Sequence, residues 1–345
     1  MFFHSILRPL ALTALLVLGF GVPLDAASET VTQPKQAERT AQATSPEIVE
    51  VGVWPTVIYN LDVHSDTYYM TAYVWFLWKG PIDPTESVEF INNVESWGFT
   101  KVKTYKKPTL LKDGKYYQCL RIEGRFFQPF SMLRFPLERH TVSMTIEDNT
   151  DPADKLQYKF DQRNSGVDES VNMSGWEIGG WKGTNYIHHY KSNLGDTNVG
   201  SHDSDYGAVK FEVEFTRHLS FFLWKMLLPV LIILLATWAA LLLPPEKLEP
   251  RVAMVGTALI TTIFLQQGYS SSLPEVEYLV LMDKIYVVVY LLIVISLLQV
   301  VIQGTLEKKH LLNDYRKARL VDRISVIVQV IVFVSSLFII NATTR

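Results

Sequence analysis

The pattern of hydrophobic and polar positions changes once along the chain, near residue 218. Before that point, short runs alternate residue by residue between apolar and polar side chains. Alternation with a period of two predicts β-strands that bury one face. The clearest run predicts an inward face made of Val209, Phe211, Val213 and Phe215. Because no long helical pattern interrupts residues 47–218, they predict an all-β, immunoglobulin-like extracellular sandwich.

Turn residues separate the apolar runs roughly every 8 to 12 positions. Asp-Gly at 113–114 and Gly-Gly at 179–180 are typical of two-residue turns, so both pairs predict β-hairpins. The chain has one cysteine, Cys119, which excludes an intrachain disulfide. Since no base is evident beside it, Cys119 is interpreted as a buried strand residue rather than a nucleophile.

Beyond residue 218 the chain is nearly continuous in apolar residues and divides into four stretches. Each approaches or exceeds the roughly 20 residues that cross a bilayer as a helix. They lie near 221–243, 248–272, 278–302 and 320–340. Residues 219–342 therefore predict a four-helix transmembrane domain that follows the sandwich without a linker.

Basic residues predict the orientation of these spans. They concentrate between the first and second spans and between the third and fourth, at Lys247, Arg251, Lys308, Lys309, Arg316, Lys317, Arg319 and Arg323. The loop 270–277 has acids but no lysine or arginine. Because positively charged loops stay in the cytoplasm, we expect the sandwich, this loop and the C-terminus to lie outside.

The N-terminus predicts export. Residues 1–27 combine Arg8, an apolar run and a candidate cleavage point near Ala26 or Ala27, which is typical of a signal peptide. An uncleaved membrane anchor is the alternative. Residues 28–46 are polar without apolar periodicity and predict a disordered tether.

The second span carries a face of mixed polarity. Reading every third or fourth residue gives Glu249, Ala253, Thr257, Ile260, Phe264, Gln267 and Ser271. Polar side chains that face lipid without partners are costly, whereas a ring of such helices would line a water-filled conduit. A helix whose small residues only pack against neighbouring helices is the alternative.

Composition limits the other function classes. The chain has 345 residues, is 48% hydrophobic and carries a formal net charge of −3, which gives no sign of a nucleic-acid partner. It has no glycine-rich phosphate loop, no metal-binding His or Cys spacing and no nucleophile motif, so no enzyme, cofactor or metal site is predicted. A sugar-active carboxylate pair is left open. The second hypothesis is a membrane-anchored periplasmic sensor or binding domain that signals through partners.

Several short motifs occur in a fixed order between residues 48 and 342. They are Asn60-Leu-Asp-Val63, Trp78-Lys79, Gln128-Pro-Phe-Ser-Met-Leu-Arg-Phe-Pro-Leu-Glu138, Gly175-Trp-Glu-Ile178, Arg217, Pro229, Trp238, and Leu273-Pro274 followed by Tyr278, Asp283 and Lys284. In this order and at these intervals, the chain resembles the pentameric ligand-gated ion channels of the Cys-loop receptor superfamily, especially their prokaryotic branch. Gln128 and Val142 stand where animal members carry the cysteines of the loop disulfide.

The resemblance implies a homopentamer in the cell inner membrane, multi-pass, with the N-terminal domain and the C-terminus in the periplasm. Each second span would line the pore, so cyclic symmetry makes every residue of the stripe a ring. Glu249 would form a carboxylate ring that selects monovalent cations, and Ile260 with Phe264 an apolar gate that closes by dewetting. The resemblance also implies opening by an extracellular small molecule or by protons, without identifying the agonist.

Pro250-Arg251 is similar to the Pro-Ala-Arg entry of the family's anion channels. In those channels the residue two positions before the arginine is not acidic, whereas here it is Glu249. Cation selectivity is therefore favoured, and Arg251 is expected to turn off the pore axis towards the cytoplasmic surface.

The resemblance implies coupling residues where the sandwich meets the membrane. These are Asp62, Asp66, Arg134, Phe135, Pro136, Glu138 and Arg217, converging on Leu273, Pro274 and Glu275. We expect Arg217 to be paired, since an arginine at that boundary is costly without an acid. Ordinary solvation is the alternative for each acid.

The family's ligand site lies between subunits, behind a hairpin that Tyr190 and Tyr206 would flank here. Tyr73 would face it from the neighbouring subunit, and Asn149 stands where many amine-gated members carry a tryptophan. Packing at the sandwich edge is the alternative for the two hairpin tyrosines. His188-His189 is interpreted as strand surface, although protons remain a candidate trigger.

Overall fold

The computed structural model describes residues 45–193, 195, 204–308 and 315–344. The expected signal peptide and the expected tether up to residue 44 lie outside these ranges. So does most of the tip of the hairpin between Tyr190 and Tyr206.

The first half of the described chain consists of strands and one short helix. In order they are β1 Glu47–Asp62, β2 Thr67–Trp78, α1 Pro84–Ser87, β3 Val88–Phe90, β4 Thr100–Lys103, β5 Thr109–Leu110, β6 Tyr116–Phe127, β7 Arg139–Asp148, β8 Leu156–Phe160, β9 Trp176–Tyr190 and β10 Ser204–Arg217. One sheet has the order β4-β6-β2-β1-β8, with β5 beside β6, and the other has the order β3-β7-β10-β9. All neighbouring strands are antiparallel except β1 and β8.

The two sheets enclose a single apolar core. The predicted inward face of β10 is confirmed, because Val209, Phe211, Val213 and Phe215 are all fully buried. They belong to one cluster with Phe76 and Ile122 of the opposite sheet. Two sheets packed over a shared core form the predicted β-sandwich.

The two glycine-containing turn predictions have different outcomes. Asp-Gly at 113–114 does form the β5–β6 turn, where Gly114 has φ +78° and its amide donates to Leu111 O at 3.1 Å. The hairpin expected at 179–180 is wrong, since both glycines lie inside β9 at a register shift opposite β10. Glycines within a strand mark a bulge as readily as a turn.

The second half consists of helices. They are α2 Leu219–Phe221, a π-helical segment Phe222–Leu227, α3 Leu228–Leu242, α4 Leu248–Ser270, α5 Leu281–Lys308 and α6 Tyr315–Thr343. We call α2, the π-helical segment and α3 together the first span. Within the described chain, the first span, α4, α5 and α6 are each long and apolar enough to cross a membrane.

A second apolar core holds these helices together and also takes in part of the sandwich. Trp238 of α3, Val255 of α4, Ile285 of α5 and Phe333 of α6 are buried in one cluster. The same cluster includes Phe135, from the loop between β6 and β7. A single residue, His218, separates the end of β10 from the first span. The sandwich and the helices are therefore joined both through the backbone and through shared packing.

Candidate functional site

The mixed-polarity stripe of α4 faces away from its own helix bundle. Its seven positions are all exposed: Glu249, Ala253, Thr257, Ile260, Phe264, Gln267 and Ser271. Phe264 is 72% exposed and Ile260 56%. The opposite side of α4 is buried, at Arg251, Val255, Ala258, Thr262 and Tyr269. The side chains that the stripe was predicted to present are thus available to another chain or to water, and pore lining stays a prediction.

The exposed surface of α6 has a different composition. From Ile324 to Ile339 its large exposed side chains are apolar, including Ile327, Ile331 and Phe338. Such a surface suits hydrocarbon, whereas the exposed side chains of Thr257 and Gln267 on α4 require water or a protein partner.

Arg251 corrects one expectation. It lies off the stripe, as predicted, but it does not reach the cytoplasmic surface, because its side chain is only 1% exposed. It lies between helices, where it pairs with Asp322 of α6. A buried arginine is tolerated when acids and carbonyl oxygens satisfy it, and a partner from the fourth span was not foreseen.

The loop 128–138, which we call the signature loop, docks on the C-terminal end of α4 and the N-terminal end of α5. The Met132 amide donates to the Tyr278 hydroxyl at 3.1 Å, and the Leu281 amide donates to Leu133 O at 3.0 Å. The amide of Met282 donates to Phe135 O at 3.2 Å. The ring of Phe135 is buried and stacks on Tyr269 of α4 at 6.2 Å between centroids.

Arg217 is paired, as expected, and its partner is Glu138. Arg217 Nε donates to Glu138 Oε1 at 2.5 Å, and the Glu138 side chain is only 1% exposed. The guanidinium also lies over three aromatic rings, 4.5 Å from the centroid of Trp176, 4.8 Å from Phe221 and 5.6 Å from Phe135. Arg217, at the end of β10, thereby joins loop 128–138, β9 and the first span.

Two titratable groups at this junction have perturbed pKa values. Burial raises the pKa of the Glu138 carboxyl, and the positive charge of Arg217 offsets only part of that rise. Burial lowers the pKa of His140 to about 4, and Arg217 acts in the same direction. Within the described chain, Glu138 Oε2 and His140 Nε2 are buried without a hydrogen-bond partner. The junction therefore holds two buried groups whose protonation would change its charge.

The other predicted coupling residues are spread over several contacts. Asp62 Oδ2 accepts from Ser65 Oγ at 2.6 Å and lies 3.7 Å from Arg125 Nη2. Asp66 accepts from the Phe130 amide at 3.1 Å, and Arg134 donates to Asn341 Oδ1 of α6 at 3.2 Å.

The loop after α4 lies beside the docked signature loop. Its predicted coupling residues are Leu273, Pro274 and Glu275, and they line a cavity of about 420 Å³ together with Tyr278 and Asp283. The Tyr269 hydroxyl donates to Asp283 Oδ1 at the edge of this region. Pro136, which follows Phe135 through a cis peptide bond, is buried in the docked loop. Asp66 bonds the docked loop through the Phe130 amide, whereas Asp62 bonds Ser65 within the sandwich, and the convergence of the whole set on Leu273, Pro274 and Glu275 stays a prediction.

The hairpin tyrosines belong to a cluster centred on Glu147. The Tyr190 hydroxyl donates to Glu147 Oε1 at 2.8 Å, and His188 Nδ1 lies 2.6 Å from Glu147 Oε2. Tyr206 is the direct cross-strand partner of His188 and meets Tyr190 edge-on at 5.8 Å. Glu147 is only 4% exposed. Both carboxylate oxygens therefore have partners within the chain.

One feature of this cluster differs from expectation. His188 is half-buried and paired rather than strand surface, while His189 is exposed and lies 2.7 Å from Asp205. Asn149 is exposed two positions beyond Glu147, and Tyr73 is 39% exposed on the opposite sheet. Burial raises the pKa of the Tyr190 hydroxyl, and the hydrogen bond to Glu147 adds to the rise.

Sequence reasoning missed Glu147 and Asp322 as site residues. Glu147 follows four apolar or hydroxyl positions on β7 and reads as an ordinary outward charge. Asp322 had a signal, because an acid inside an apolar span implies a buried partner. Within the described residues, there is no cluster of three or more His, Cys, Asp or Glu side chains able to hold a metal ion.

Comparison with known proteins identifies relatives. No family model matches the chain. It is 20% identical over 280 residues to the proton-gated ion channel of Gloeobacter violaceus, covering 77% of this chain and 75% of that one. It is 23% identical over 189 residues to gamma-aminobutyric acid receptor subunit rho-1 of Homo sapiens, covering 54% and 37% respectively. The chain is homologous to the pentameric ligand-gated ion channels of the Cys-loop superfamily.

These relatives bear on four of the predictions. The homologues are ligand-gated channels and not enzymes, and a β-sheet domain followed by four apolar helices matches their architecture. The absence of a loop disulfide agrees with the single cysteine. Together with the four helices, the relatives support a multi-pass membrane protein.

Proposed function

We propose that this chain is one subunit of a homopentameric, cation-selective channel that opens when a small molecule or protons act on the β-sandwich. The observation that carries the proposal is the exposed stripe of α4, with Glu249 at one end and Ser271 at the other. Five copies around an axis would turn this stripe inward, which provides water for its polar residues. The relative from Gloeobacter violaceus, named a proton-gated ion channel, supports protons as a candidate trigger.

Ion selection is assigned to Glu249. It is exposed in the first turn of α4, so five carboxylates would lie close together at the inner mouth. Such a ring attracts cations and repels anions. The neighbouring arginine does not oppose it, because Arg251 is buried and paired with Asp322.

The gate is assigned to Ile260 and Phe264. Both are large, apolar and exposed on the stripe, one helical turn apart. An apolar constriction only slightly wider than an ion loses its water before the walls touch, so it blocks ions without complete closure. Thr257 on one side and Gln267 on the other would remain hydrated.

Coupling is assigned to the docked loop 128–138. Its hydrogen bonds to the Tyr278 hydroxyl and to the amides of Leu281 and Met282 lie beside the Phe135–Tyr269 stack. Because these contacts join the sandwich to the outer ends of two helices, a change in the sandwich displaces the end of α4 directly. A gating interface needs two discrete arrangements, and agonist preference for one of them shifts the gate.

Agonist binding is assigned to the outer face of the β7–β10–β9 sheet. Glu147, Tyr190 and Tyr206 provide a buried acid with two aromatic rings, and Asn149 lies two positions beyond Glu147. Tyr73 would complete the site from the neighbouring subunit. A cation or a proton suits an acid beside aromatic rings.

In this proposal the sandwich and the C-terminus lie in the periplasm, the protein sits in the inner membrane, and residues 1–27 are removed on export.

The deciding experiment is reconstitution of the purified protein in liposomes. We expect current during a screen of pH and small cationic ligands, with a reversal potential in a salt gradient that follows the cation. Glu249→Gln should weaken that preference, while Glu169→Gln, the same change at an exposed sandwich position, should not. A wild-type reversal potential that follows chloride would contradict the selectivity assignment, and lack of current throughout the screen would contradict the channel itself.

A further inference from the structure

A charged pair lies inside the helix bundle, close to the inner end of α4. Arg251 Nη2 lies 3.0 Å from Asp322 Oδ2, in an ion-pair contact without the alignment of a hydrogen bond. The two side chains are 1% and 2% exposed. Arg251 is in the first turn of α4, and Asp322 is in the N-terminal part of α6.

The remaining donors and acceptors of this pair come from every span. Arg251 Nε and Nη2 donate to the backbone oxygens of Ala240 and Leu241 at 3.1 and 3.3 Å, where α3 ends. Its Nη1 donates to Gln303 Oε1 of α5 at 2.8 Å. Asp322 Oδ1 accepts from Gln299 and Gln303 of α5 at 2.6 and 2.8 Å. The four helices are thus hydrogen-bonded to one another at a single point.

This network fixes how α4 is rotated about its own axis. Successive residues of an α-helix are about 100° apart around the axis, so positions 249 and 251 point in roughly opposite directions. Because Arg251 is held inward by three helices, Glu249 is directed outward, where it is exposed. Any rotation that turned Glu249 away from the stripe would pull Arg251 out of its buried contacts.

The network also determines the charge close to Glu249. An arginine two residues from the carboxylate ring would oppose cation selection if its charge were not balanced. Asp322 balances it within a region from which water is excluded, so the field of the pair outside the bundle is small. Neither effect requires Asp322 to contact an ion.

We infer that Asp322, acting through Arg251, is a positioning residue for ion selection: the fourth span holds the inner end of the pore helix and neutralises its arginine. The inference rests on the proposed channel function. It assigns a role inside the bundle to α6, whose large exposed side chains from Ile324 to Ile339 are apolar. A buried ion pair is a weak source of stability but a strong constraint on geometry, which fits this role.

The electrical test compares the wild type with four variants in liposomes under a tenfold sodium chloride gradient. In Asp322→Asn, the unbalanced Arg251 should lower the sodium-to-chloride permeability ratio at least threefold. Asp322→Glu should keep most of the wild-type ratio, and the double variant Arg251→Gln with Asp322→Asn should recover part of it because no charge is left unpaired. Gln329→Leu is the matched control, since it removes a buried polar group of α6 that bonds Trp238 rather than Arg251. Equal ratios in Asp322→Asn and wild type would overturn the inference.

A second measurement does not depend on current. Val255 is fully buried one turn beyond Arg251, so Val255→Cys in a Cys119→Ala background should react slowly with a charged thiol reagent. Adding Asp322→Asn should speed this labelling at least tenfold, because α4 is released, whereas adding Gln329→Leu should not. Unchanged labelling would overturn the positioning role even if the channel conducts. Faster labelling in a protein that never conducts would retain the positioning role and reject the channel.

Discussion

Arg217 and Glu138 form a buried ion pair at the point where the last strand enters the membrane. Their 2.5 Å contact joins β10 to the end of the signature loop, and the Arg217 amide donates to Glu138 O at 3.2 Å as well. The two residues are therefore joined both through their side chains and through their backbones, so we expect the end of β10 and the end of loop 128–138 to move together.

Breaking the pair should uncouple the sandwich from the pore. We expect Arg217→Gln and Glu138→Gln each to reduce agonist- or proton-evoked current more than tenfold, because each leaves a buried group without its partner. The double variant should lose less current than the sum of the two single losses predicts, which corresponds to a coupling free energy of opening of about 1 to 3 kcal/mol. Whole-cell or liposome currents, normalised to assembled protein, measure this.

Arg139→Gln is the matched control for that experiment. Arg139 immediately precedes His140 on β7. Its side chain is 68% exposed, and its Nη1 lies 3.7 Å from Glu214 Oε1. An exposed pair of this kind contributes little, so the variant should conduct normally. Additive losses in the double variant at 138 and 217 would contradict the assignment of these residues to one coupled unit.

Wetting the apolar constriction should favour opening. Ile260→Ser places a hydroxyl where dewetting is proposed, so the agonist concentration or proton activity for half-maximal current should fall at least fivefold. Ile263→Ser makes the same change at a position that is 51% exposed but off the stripe. Dose–response curves for both variants check the assignment, and a larger shift at 263 than at 260 would reject it.

Glu147 should control agonist sensitivity. If its carboxylate meets a cationic agonist or a proton, Glu147→Gln removes a charge-assisted interaction of about 1.5 to 3 kcal/mol, which is roughly a tenfold to hundredfold loss of apparent affinity. Glu89→Gln alters the exposed acid directly across the strand pair and should have a much smaller effect. Dose–response curves distinguish the two, and equal shifts would mean that surface charge alone matters.

His140 should make stability depend on pH. Its pKa in the folded chain is about 4, against an unperturbed value of 6.5. Between these pH values the imidazole is protonated in the unfolded chain but not in the folded chain. The free energy of unfolding therefore decreases as pH falls from about 6.5 to about 4. The loss is at most about 3 kcal/mol, and the raised pKa of Glu138 acts in the opposite direction.

Thermal melting of the purified protein between pH 7.5 and 4.5 isolates this contribution when wild type is compared with His140→Gln. The variant lacks the imidazole, so the difference in melting temperature should change across that range. Two curves that remain parallel from neutral to acid pH would show that His140 is not protonated on unfolding.

Much of the fold follows from local pattern. The alternation along β10 predicts its buried face residue by residue, because a strand has a period of two and one side meets the core. The apolar spans are equally direct, since a bilayer requires about 20 such residues. The 179–180 glycines show the limit of this reasoning: a turn and a bulge use the same residue, and only the pairing with β10 distinguishes them.

The environment of a site residue could be predicted from the sequence where it depends on the residue's own element alone. It could not be predicted where it depends on a partner far away in the sequence. The exposure of Ile260 and Phe264 follows from helical spacing. The burial of Arg251 depends on Asp322 in another span, and the role of Glu147 depends on Tyr190 and His188 from another strand. Such contacts join parts of the chain that no local pattern relates.

The docking of loop 128–138 onto Tyr278, Leu281 and Met282 limits how this protein can be recombined with its relatives. A chimaera cut only at His218 would combine one relative's loop with another's helix ends. Two backbone hydrogen bonds, the bond from the Met132 amide to the Tyr278 hydroxyl and a ring stack would then have to re-form between surfaces that did not evolve together. A working exchange would transfer residues 128–138 with the helices rather than with the sandwich. The part that has to be transferred intact is therefore a contact surface, and this surface crosses the boundary between the two domains.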